Sequence, residues 1–433
     1  MILVQNLRLR LNGNSLFAVL SAFILVSCNA FKVISKDTND KPNDSEVVVE
    51  PNTEKNSDPI KEEGKELEVV EEVTRELVYL QGHEFKVEPH KMEFKVALIL
   101  PFYFNAQTNR ERRMSDYMLE YYQGVKLALT ELEHRGFKLK LHVYDNENST
   151  VVLNKILKKS DLSKMDLIIG PIGQEHMEIV SDFGLENNIP IISPISSIDS
   201  LNKINPKFYS TTPGTKAKAT KVAQHLQSNY KKNPIILVTD EQTYSMSDKN
   251  EYVAVLEKAG FKNIRTESAS FSSWSAALAD VKNTTIIILS HNPTVVSTTL
   301  SKVYQTKSDV VIFGDNSWSN FQDNDYKFWS KLNVHLIASD FVDDSTSEVR
   351  NFRINYRLIN KADPGVYAYL GYDQILFMGE FLMAFGEFFP TYINQKKFRY
   401  LSSTYHYEYQ KGFNQNTNVF LLKFENYELR PIE

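Results

Sequence analysis

Short apolar runs alternate along most of this chain with longer stretches in which apolar residues recur at helical spacing. Residues 95–102 read KVALILPF, a run closed by Pro101 that predicts a buried strand. Residues 117–135 then carry apolar side chains at helical intervals, and Gly136 ends that pattern. Strands that alternate with helices of this length indicate βαβ units built on a parallel sheet.

The alternation runs to about residue 213 and then restarts. Further strands are predicted at 138–145, 166–171, 189–194, 234–240, 284–290, 310–315 and 335–340. Two helices, at 349–360 and 366–389, follow the last of these strands. The predicted fold class is therefore α/β, with two doubly wound parallel-sheet lobes in tandem.

The N-terminal region has a different pattern. Arg8 and Arg10 precede an apolar run at 16–28 that is shorter than the ~20 residues needed to span a bilayer. The run ends at Cys28, the single cysteine of the chain, and residues 25–28 (LVSC) resemble the bacterial lipobox. That resemblance implies a signal peptide over 1–27 and a lipid such as palmitate on Cys28. A signal peptide with an incidental cysteine, or an uncleaved anchor, is the alternative.

Residues 28–92 are rich in Glu, Asp, Lys, Asn and Pro. Few apolar side chains are available there to offset the entropy of ordering, so a mostly disordered acidic tether is predicted, with a short helix or strand within 67–80. A flexible tether of about 60 residues reaches about 40 Å. It is either a spacer that holds a globular domain off a membrane or an incidental linker.

The composition and the motifs of the chain argue against several classes of function. Hydrophobic residues make up 42% of the chain and the net charge is −5, so a large core is available and no basic surface for nucleic acid is indicated. A single cysteine excludes an internal disulfide. The sequence lacks a Gly-x-Ser-x-Gly elbow, a P-loop and histidines at metal-ligand spacing. No catalytic residue, metal site or cofactor is therefore predicted, and a non-enzymatic protein is favoured.

Several segments from residue 93 onward resemble the type 1 periplasmic binding proteins, in particular the leucine/isoleucine/valine-binding branch. The resemblance rests on residues 96–102, 122–129, 166–171, 189–194, 355–373 and 412–424. It implies two lobes joined by a three-crossing hinge. The lobes are expected at 93–213 with 341–390, and at 214–340 with 391–433, and the crossings at 212–214, 339–342 and 390–397.

The expected ligand site follows from the fold. In open α/β sheets, ligands bind beyond the carboxyl ends of the strands, where helix N-termini also present N–H groups to anions. In the resembling family, two loops of one lobe hold an amino acid's carboxylate and ammonium, and an acidic residue of the other lobe faces the ammonium. The candidate ligand-binding residues are Phe102, Gly173, Gln174, Ser196, Ser197, Tyr244, Asp315 and Trp318.

These candidates have structural alternatives. Ser196 and Ser197 match the second loop of the family, but they are also common helix-capping residues. Gly173 and Gln174 occupy the first loop, where the family usually has Ser or Thr, which weakens the case for a free amino acid. Asp315 matches the acidic position or serves as a turn or N-cap residue. Tyr244 and Trp318 line the ligand site or pack within loops.

Three functions follow from these observations. The first is a lipid-anchored solute-binding protein of the bacterial cell envelope, which captures a small polar ligand, such as an amino acid or peptide, for an ABC permease or for sensing. The second, suggested by lipoproteins of the same fold and by the long tether, is a regulator of a cell-wall (peptidoglycan) synthase through protein contact. A hydrolase is a third and weaker alternative.

Overall fold

The computed structural model describes residues 76–198, 200–269, 283–306, 309–321, 326–426 and 428–432. The chain divides into two compact units, 1–87 and 88–433. The described part of the first unit is an antiparallel hairpin of β1 (Glu76–Leu80) and β2 (His83–Val87). Its two-residue turn has positive φ at Gln81 and Gly82, as such hairpin loops require.

This hairpin changes the prediction for residues 28–92, because 76–87 form ordered strands where a mostly disordered tether was expected. Within the predicted helix or strand at 67–80, the described part is a strand. The predicted signal peptide, Cys28 and the rest of the predicted tether before residue 76 lie outside the described residues.

The second unit contains two seven-stranded sheets with helices between the strands. Its strands and helices, in chain order, are β3 (Glu93–Leu100), α1 (Asn109–His134), β4 (Lys138–Asp145), α2 (Thr150–Leu157), β5 (Leu167–Ile169), α3 (Gln174–Asn187), β6 (Ile191–Ser193), β7 (Phe208–Ser210), α4 (Thr215–Asn229), β8 (Ile235–Thr239), α5 (Met246–Lys258), β9 (Ile264–Ser268), β10 (Thr284–Leu289), α6 (Pro293–Gln305), β11 (Val310–Asp315), α7 (Tyr326–Lys331), β12 (Val334–Ala338), α8 (Ser347–Asn360), α9 (Val366–Phe385), α10 (Phe389–Tyr392), β13 (Phe398–Arg399), β14 (Thr404–Tyr405), β15 (Tyr407–Gln410), β16 (Phe413–Asn416), β17 (Phe420–Glu425) and β18 (Glu428–Ile432).

The two sheets share one strand order. The first sheet runs β4-β3-β5-β6-β7-β16-β15, and the second runs β9-β8-β10-β11-β12-β17-β18. The first five strands of each are parallel, so each sheet reverses its winding between its first and third strands. The doubly wound α/β fold is confirmed. These reversals, at β3/β5 and β8/β10, are the positions at which such sheets bind ligands.

The C-terminal boundary of the lobes differs from the prediction. β16 pairs in parallel with β7, with Asn414 opposite Tyr209, so residues 407–416 belong to the first sheet rather than to the second lobe. The chain then enters the second sheet at β17, which is antiparallel to β12. The predicted third crossing at 390–397 is therefore misplaced, and the chain crosses at 417–419. Local pattern does not reveal which of two similar sheets a late strand joins.

Close packing of α1 against α9 organises the first lobe. A Cβ added at Gly124 would lie 1.9 Å from the Ala368 carbonyl oxygen, and one at Gly371 would lie 2.1 Å from the Tyr121 carbonyl oxygen. Only glycine permits this approach of the two helix backbones. Both glycines stand in segments that carried the family resemblance, and the structure gives each a packing role.

The second lobe has its own apolar core on both faces of its sheet. β10 is buried along its whole length, as expected for a parallel strand covered on both sides. Trp318 and Trp329 are the largest side chains of one face, where they pack with β11, β12 and β17. The other face packs against α4 and α5 through residues that include Leu226 and Tyr252. This core fixes the strand ends that carry the polar residues of the second lobe.

Candidate functional site

Three polar residues stand at the carboxyl ends of adjacent strands in the second lobe. Asp240 follows β8, Ser290 follows β10, and Asp315 ends β11. The Asp240 carboxylate accepts hydrogen bonds from the Ser290 hydroxyl at 2.9 Å and the Thr243 hydroxyl at 3.0 Å. Asp240 is buried, so its role is to join the two loops that flank the winding reversal of this sheet.

Asp315 is the centre of a polar cluster that also contains Tyr244, His291 and Lys218. The Tyr244 hydroxyl donates to Asp315 Oδ2 at 3.2 Å, and the Ser317 backbone N–H donates to Oδ1 at 2.9 Å. His291 Nδ1 lies 3.3 Å from Oδ1, and Lys218 Nζ lies 3.8 Å from Oδ2. The Tyr244 ring stacks on the His291 ring, with a centroid separation of 4.8 Å.

The environment of this cluster shifts the pKa values of two of its members, Asp315 and Tyr244. Burial alone would raise the pKa of Asp315, but the hydrogen bond from His291 and the charge of Lys218 hold that pKa well below its usual value. Burial, followed by the adjacent Asp315 carboxylate, raises the pKa of Tyr244 well above its usual value. The cluster therefore presents an anionic carboxylate and a neutral phenol over the physiological pH range.

A third carboxyl group, that of Asp340, lies two residues beyond the end of β12, in the second crossing. Burial, and then the negative charges of Asp373 and Asp315, raise the pKa of Asp340 to about 6. In the unfolded chain this pKa is about 3.9. The folded state therefore binds more protons than the unfolded state between about pH 4 and 6, so the contribution of Asp340 to stability falls as pH rises through that window.

In the first lobe, the loop after β3 is held by Asp145 at the end of β4. Asp145 accepts hydrogen bonds from the backbone N–H groups of Phe102, at 2.9 Å, and Phe104, at 3.1 Å. Phe102 is 1% exposed and contacts the edge of Tyr122, whereas Phe104 stacks on Phe102 and is 70% exposed. Phe102 therefore supports an exposed aromatic ring, and Phe104 presents that ring to solvent.

The first ligand loop predicted by the resemblance is shaped by glycine. Gly173 has φ +87°, a conformation that side chains disfavour, and it precedes the first turn of α3. The Gln174 side chain donates to Glu178 and to the Ser200 carbonyl, both at 2.7 Å. Its amide nitrogen is thus engaged within its own lobe.

The second predicted loop follows β6. The Ser196 carbonyl accepts a hydrogen bond from the Ser193 hydroxyl at 3.0 Å, which fixes the turn. Ser196 is half-buried and Ser197 is exposed. Neither serine is the N-cap of one of the helices of the described chain, so their hydroxyls do not serve the capping role considered for them.

The structure brings Tyr244 and Asp315 together and separates Trp318 from them. Trp318 is 0% exposed, donates from Nε1 to the Ser290 carbonyl at 2.8 Å and packs in the core of the second lobe. It does not line a ligand site, and its prediction as a wall residue is corrected. The reason is the short helical turn after β11, which directs the indole under the sheet, against Gly314.

Sequence reasoning did not select Lys218, His291 and Asp340 as site residues. His291 lies in a strand-end loop, so its position was visible, but nothing in the sequence indicates that it meets Tyr244. Lys218 lies on α4, and only the tertiary fold brings it to Asp315. Tyr117 and Tyr367 were also missed, and their rings stack at 4.8 Å where α1 meets the start of α9.

The described residues contain no group of three or more His, Cys, Asp or Glu side chains that could hold a metal ion. Within the same ranges, none of the helices combines the length and apolarity that crossing a bilayer requires.

Two lobes of matching strand order, three chain crossings between them and a polar cluster at a strand-end edge define a two-lobed binding protein of type 1 topology. Residues 113–408 match the family described as periplasmic binding protein, and the chain belongs to this family. The predicted resemblance is confirmed. The family consists of binding proteins rather than enzymes, and membership implies a location outside the cytoplasm.

Solved structures show the same fold. An ABC transporter substrate-binding protein from Desulfitobacterium hafniense in complex with Leu is 16% identical, with a TM-score of 0.54, over 78% of this chain and 100% of that chain. The branched-chain amino acid substrate-binding protein LivJ from Streptococcus pneumoniae, in complex with isoleucine, is 15% identical, with a TM-score of 0.53, over 78% and 99%. A putative branched-chain amino acid ABC transporter protein from Rhodospirillum rubrum is 13% identical, with a TM-score of 0.62, over 78% and 100%. At these identities the likeness concerns the fold. No match is found among curated proteins.

Proposed function

We propose that this protein is an extracytoplasmic solute-binding protein that captures a small polar, amino-acid-like ligand between its two lobes for ABC transport or sensing. The observation that carries the proposal is the cluster of Asp315, Tyr244, His291 and Lys218 at the carboxyl edge of the second sheet. Ligands of doubly wound sheets bind at this edge. The leucine and isoleucine complexes of the two similar proteins support an amino-acid-like ligand.

The two lobes offer complementary chemistry. In the second lobe, Asp315 keeps its negative charge, which suits a ligand ammonium. In the first lobe, Ser197 is exposed beside the end of β6, and α3 begins after Gly173 with N–H groups suited to a ligand carboxylate. Closure about the three crossings would bring both ends of a zwitterion into contact, so that binding energy is gained in the closed state.

Calorimetry tests this function directly. The full chain carrying Cys28→Ala, which removes the proposed lipidation site, is titrated with the standard amino acids and with short peptides. We expect at least one ligand to bind, and Asp315→Asn to weaken that binding by about tenfold or more through loss of a charged hydrogen bond. Asp363→Asn, at an exposed carboxylate on the loop after α8, is the matched control and should leave affinity unchanged. Absence of binding to every solute would refute the proposal.

A regulator of a cell-wall synthase is the second candidate, and one observation favours it. The Gln174 amide is engaged by Glu178 and Ser200, and Asp315 already has four partners within its own lobe. A site whose polar groups are mutually satisfied has less need of a solute. Capture of a purified peptidoglycan synthase by the same full chain, with no solute bound in calorimetry, would establish this function in place of the first.

Lipid attachment at Cys28 is part of the proposal. Its support is the LVSC sequence at 25–28, directly after an apolar run. In bacteria that express the full chain, metabolic labelling with an alkyne fatty acid should mark the wild-type protein and not Cys28→Ala. Equal labelling of both proteins would exclude this cysteine as the lipid site.

A further inference from the structure

A cavity of about 300 Å³ lies between α4 of the second lobe and β15 of the first, beside the third crossing. Its volume is at the lower end of the range for small-molecule sites. None of the predicted ligand residues at the strand ends lines it. The cavity is therefore a separate feature of the fold, and both lobes contribute to its wall.

The wall of this cavity is positively charged. Lys216 and Lys221 reach it from α4, and Lys397 reaches it from the segment before β13. None of these three lysines forms an ion pair with a carboxylate of the described chain. Glu408 is the acidic residue of the lining, so the cations outnumber it by three to one.

Lys216 also borders a smaller cavity that contains Asp248 and Glu251. Both carboxylates have other partners there, because Asp248 accepts from the Thr215 hydroxyl at 2.5 Å and Glu251 lies 3.6 Å from Lys411 Nζ. Lys221 and Lys397 border only the larger cavity of the two. The excess of positive charge in the larger cavity therefore remains.

An uncompensated donor is a second and independent feature of the cavity. Among the described residues, the buried side-chain amide nitrogen of Asn418 has no hydrogen-bond partner. The backbone N–H of the same residue donates to Asn416 Oδ1 at 3.1 Å, which fixes the turn of the crossing. Buried amides are normally paired, and this unpaired donor belongs to a residue that lines the cationic cavity.

We propose that this cavity binds a small multiply charged oxyanion of the phosphate type. Lys216 and Lys221 of the second lobe and Lys397 of the first would surround its oxygens, and Asn418 on the crossing would donate the remaining hydrogen bond. Because both lobes and the crossing contact one anion, its binding favours one setting of the hinge. The inference is independent of the ligand at the strand ends.

The test uses the full chain with Cys28→Ala and inorganic pyrophosphate as the probe, at constant ionic strength, in calorimetry and thermal unfolding. We expect saturable binding and a raised Tm. Lys221→Gln and Lys397→Gln should each weaken binding by about threefold, and together by about tenfold. Lys232→Gln, at an exposed lysine that does not line the cavity, should bind as the wild type does.

Asn418→Asp provides a sharper variant, because it replaces the unpaired donor by a negative charge and should abolish pyrophosphate binding. Circular dichroism checks that each variant is folded. A second arm tests phosphatidylglycerol vesicles against phosphatidylcholine vesicles. The inference is overturned if pyrophosphate does not bind, if Lys232→Gln weakens binding as much as the cavity variants, or if only the anionic vesicles bind.

Discussion

Replacement of Asp373 should be among the most destabilising single changes in the first lobe. Asp373 lies on α9, is 0% exposed, and accepts four hydrogen bonds. They come from the backbone N–H groups of Leu401 at 3.0 Å, Ser402 at 2.8 Å and Ser403 at 2.8 Å, and from the Ser402 hydroxyl at 2.7 Å. The Ser402 carbonyl in turn accepts from the Phe341 N–H at 2.8 Å, so this carboxylate holds the loop against which the second crossing rests.

The expected magnitude follows from the donors that Asp373→Ala would leave unpaired. Each buried backbone N–H without an acceptor costs about 1–3 kcal/mol, and three are affected. The variant no longer buries a carboxylate, and the desolvation free energy that it avoids offsets part of this loss. The free energy of unfolding should therefore fall by about 4 kcal/mol in total. Asp373→Asn keeps one side-chain acceptor and should lose about 2 kcal/mol.

Urea unfolding followed by circular dichroism measures these losses. The control is Asp363→Ala, because the Asp363 carboxylate is engaged by the Arg357 side chain but is 73% exposed. It should lose less than about 1 kcal/mol. Hydrogen exchange at the three loop amides should also accelerate in Asp373→Ala. A loss no larger than that of Asp363→Ala, with unchanged exchange, would refute this account of the carboxylate.

Three further predictions concern the second lobe and the crossings. Asp340→Asn should be more stable than the wild type at pH 7 by up to about 3 kcal/mol, with the difference disappearing below about pH 4 in urea titrations. A pH-independent difference would contradict the assigned cause. Gly314→Ala places a Cβ 2.0 Å from Trp318 Cη2, so the free energy of unfolding should fall by about 3 kcal/mol. The displaced indole should also alter the tryptophan fluorescence, and an unchanged spectrum would count against this clash. Tyr244→Phe removes the 3.2 Å hydrogen bond to Asp315, so the free energy of unfolding measured by thermal unfolding should fall by about 1 kcal/mol. An unchanged stability would show that this hydrogen bond contributes little.

Much of the fold was accessible from the sequence because strand and helix signals are local. The parallel strands are continuous apolar runs, such as Thr284–Leu289, whose six residues are all buried. Asp315 was selected because it stands at the end of such a run, where the resembling family has an acidic residue. The same reasoning failed for Trp318, since apolarity near a strand end is compatible with either a ligand wall or a core position.

The candidate site was only partly predictable because its members come from distant parts of the chain. Tyr244, His291 and Asp315 each follow a different strand, and Lys218 lies on α4. Strand order decides which of these loops become neighbours, and that order results from the packing of helices on both faces of the sheet. A single sequence contains no direct signal for it.

The sequence by itself determined the class of architecture, the family resemblance and the edge of each sheet at which polar residues accumulate. The architecture and the polar sheet edges follow from hydrophobic periodicity, which acts between neighbouring residues, and the resemblance rests on short matching segments. Only the tertiary structure decided that residues 407–416 join the first sheet, that Trp318 is core, and that Lys216, Lys397 and Asn418 surround one cavity. Each of these depends on contacts between residues far apart in the chain. Such contacts form, and stabilise the structure, only when distant segments have come together in the fold.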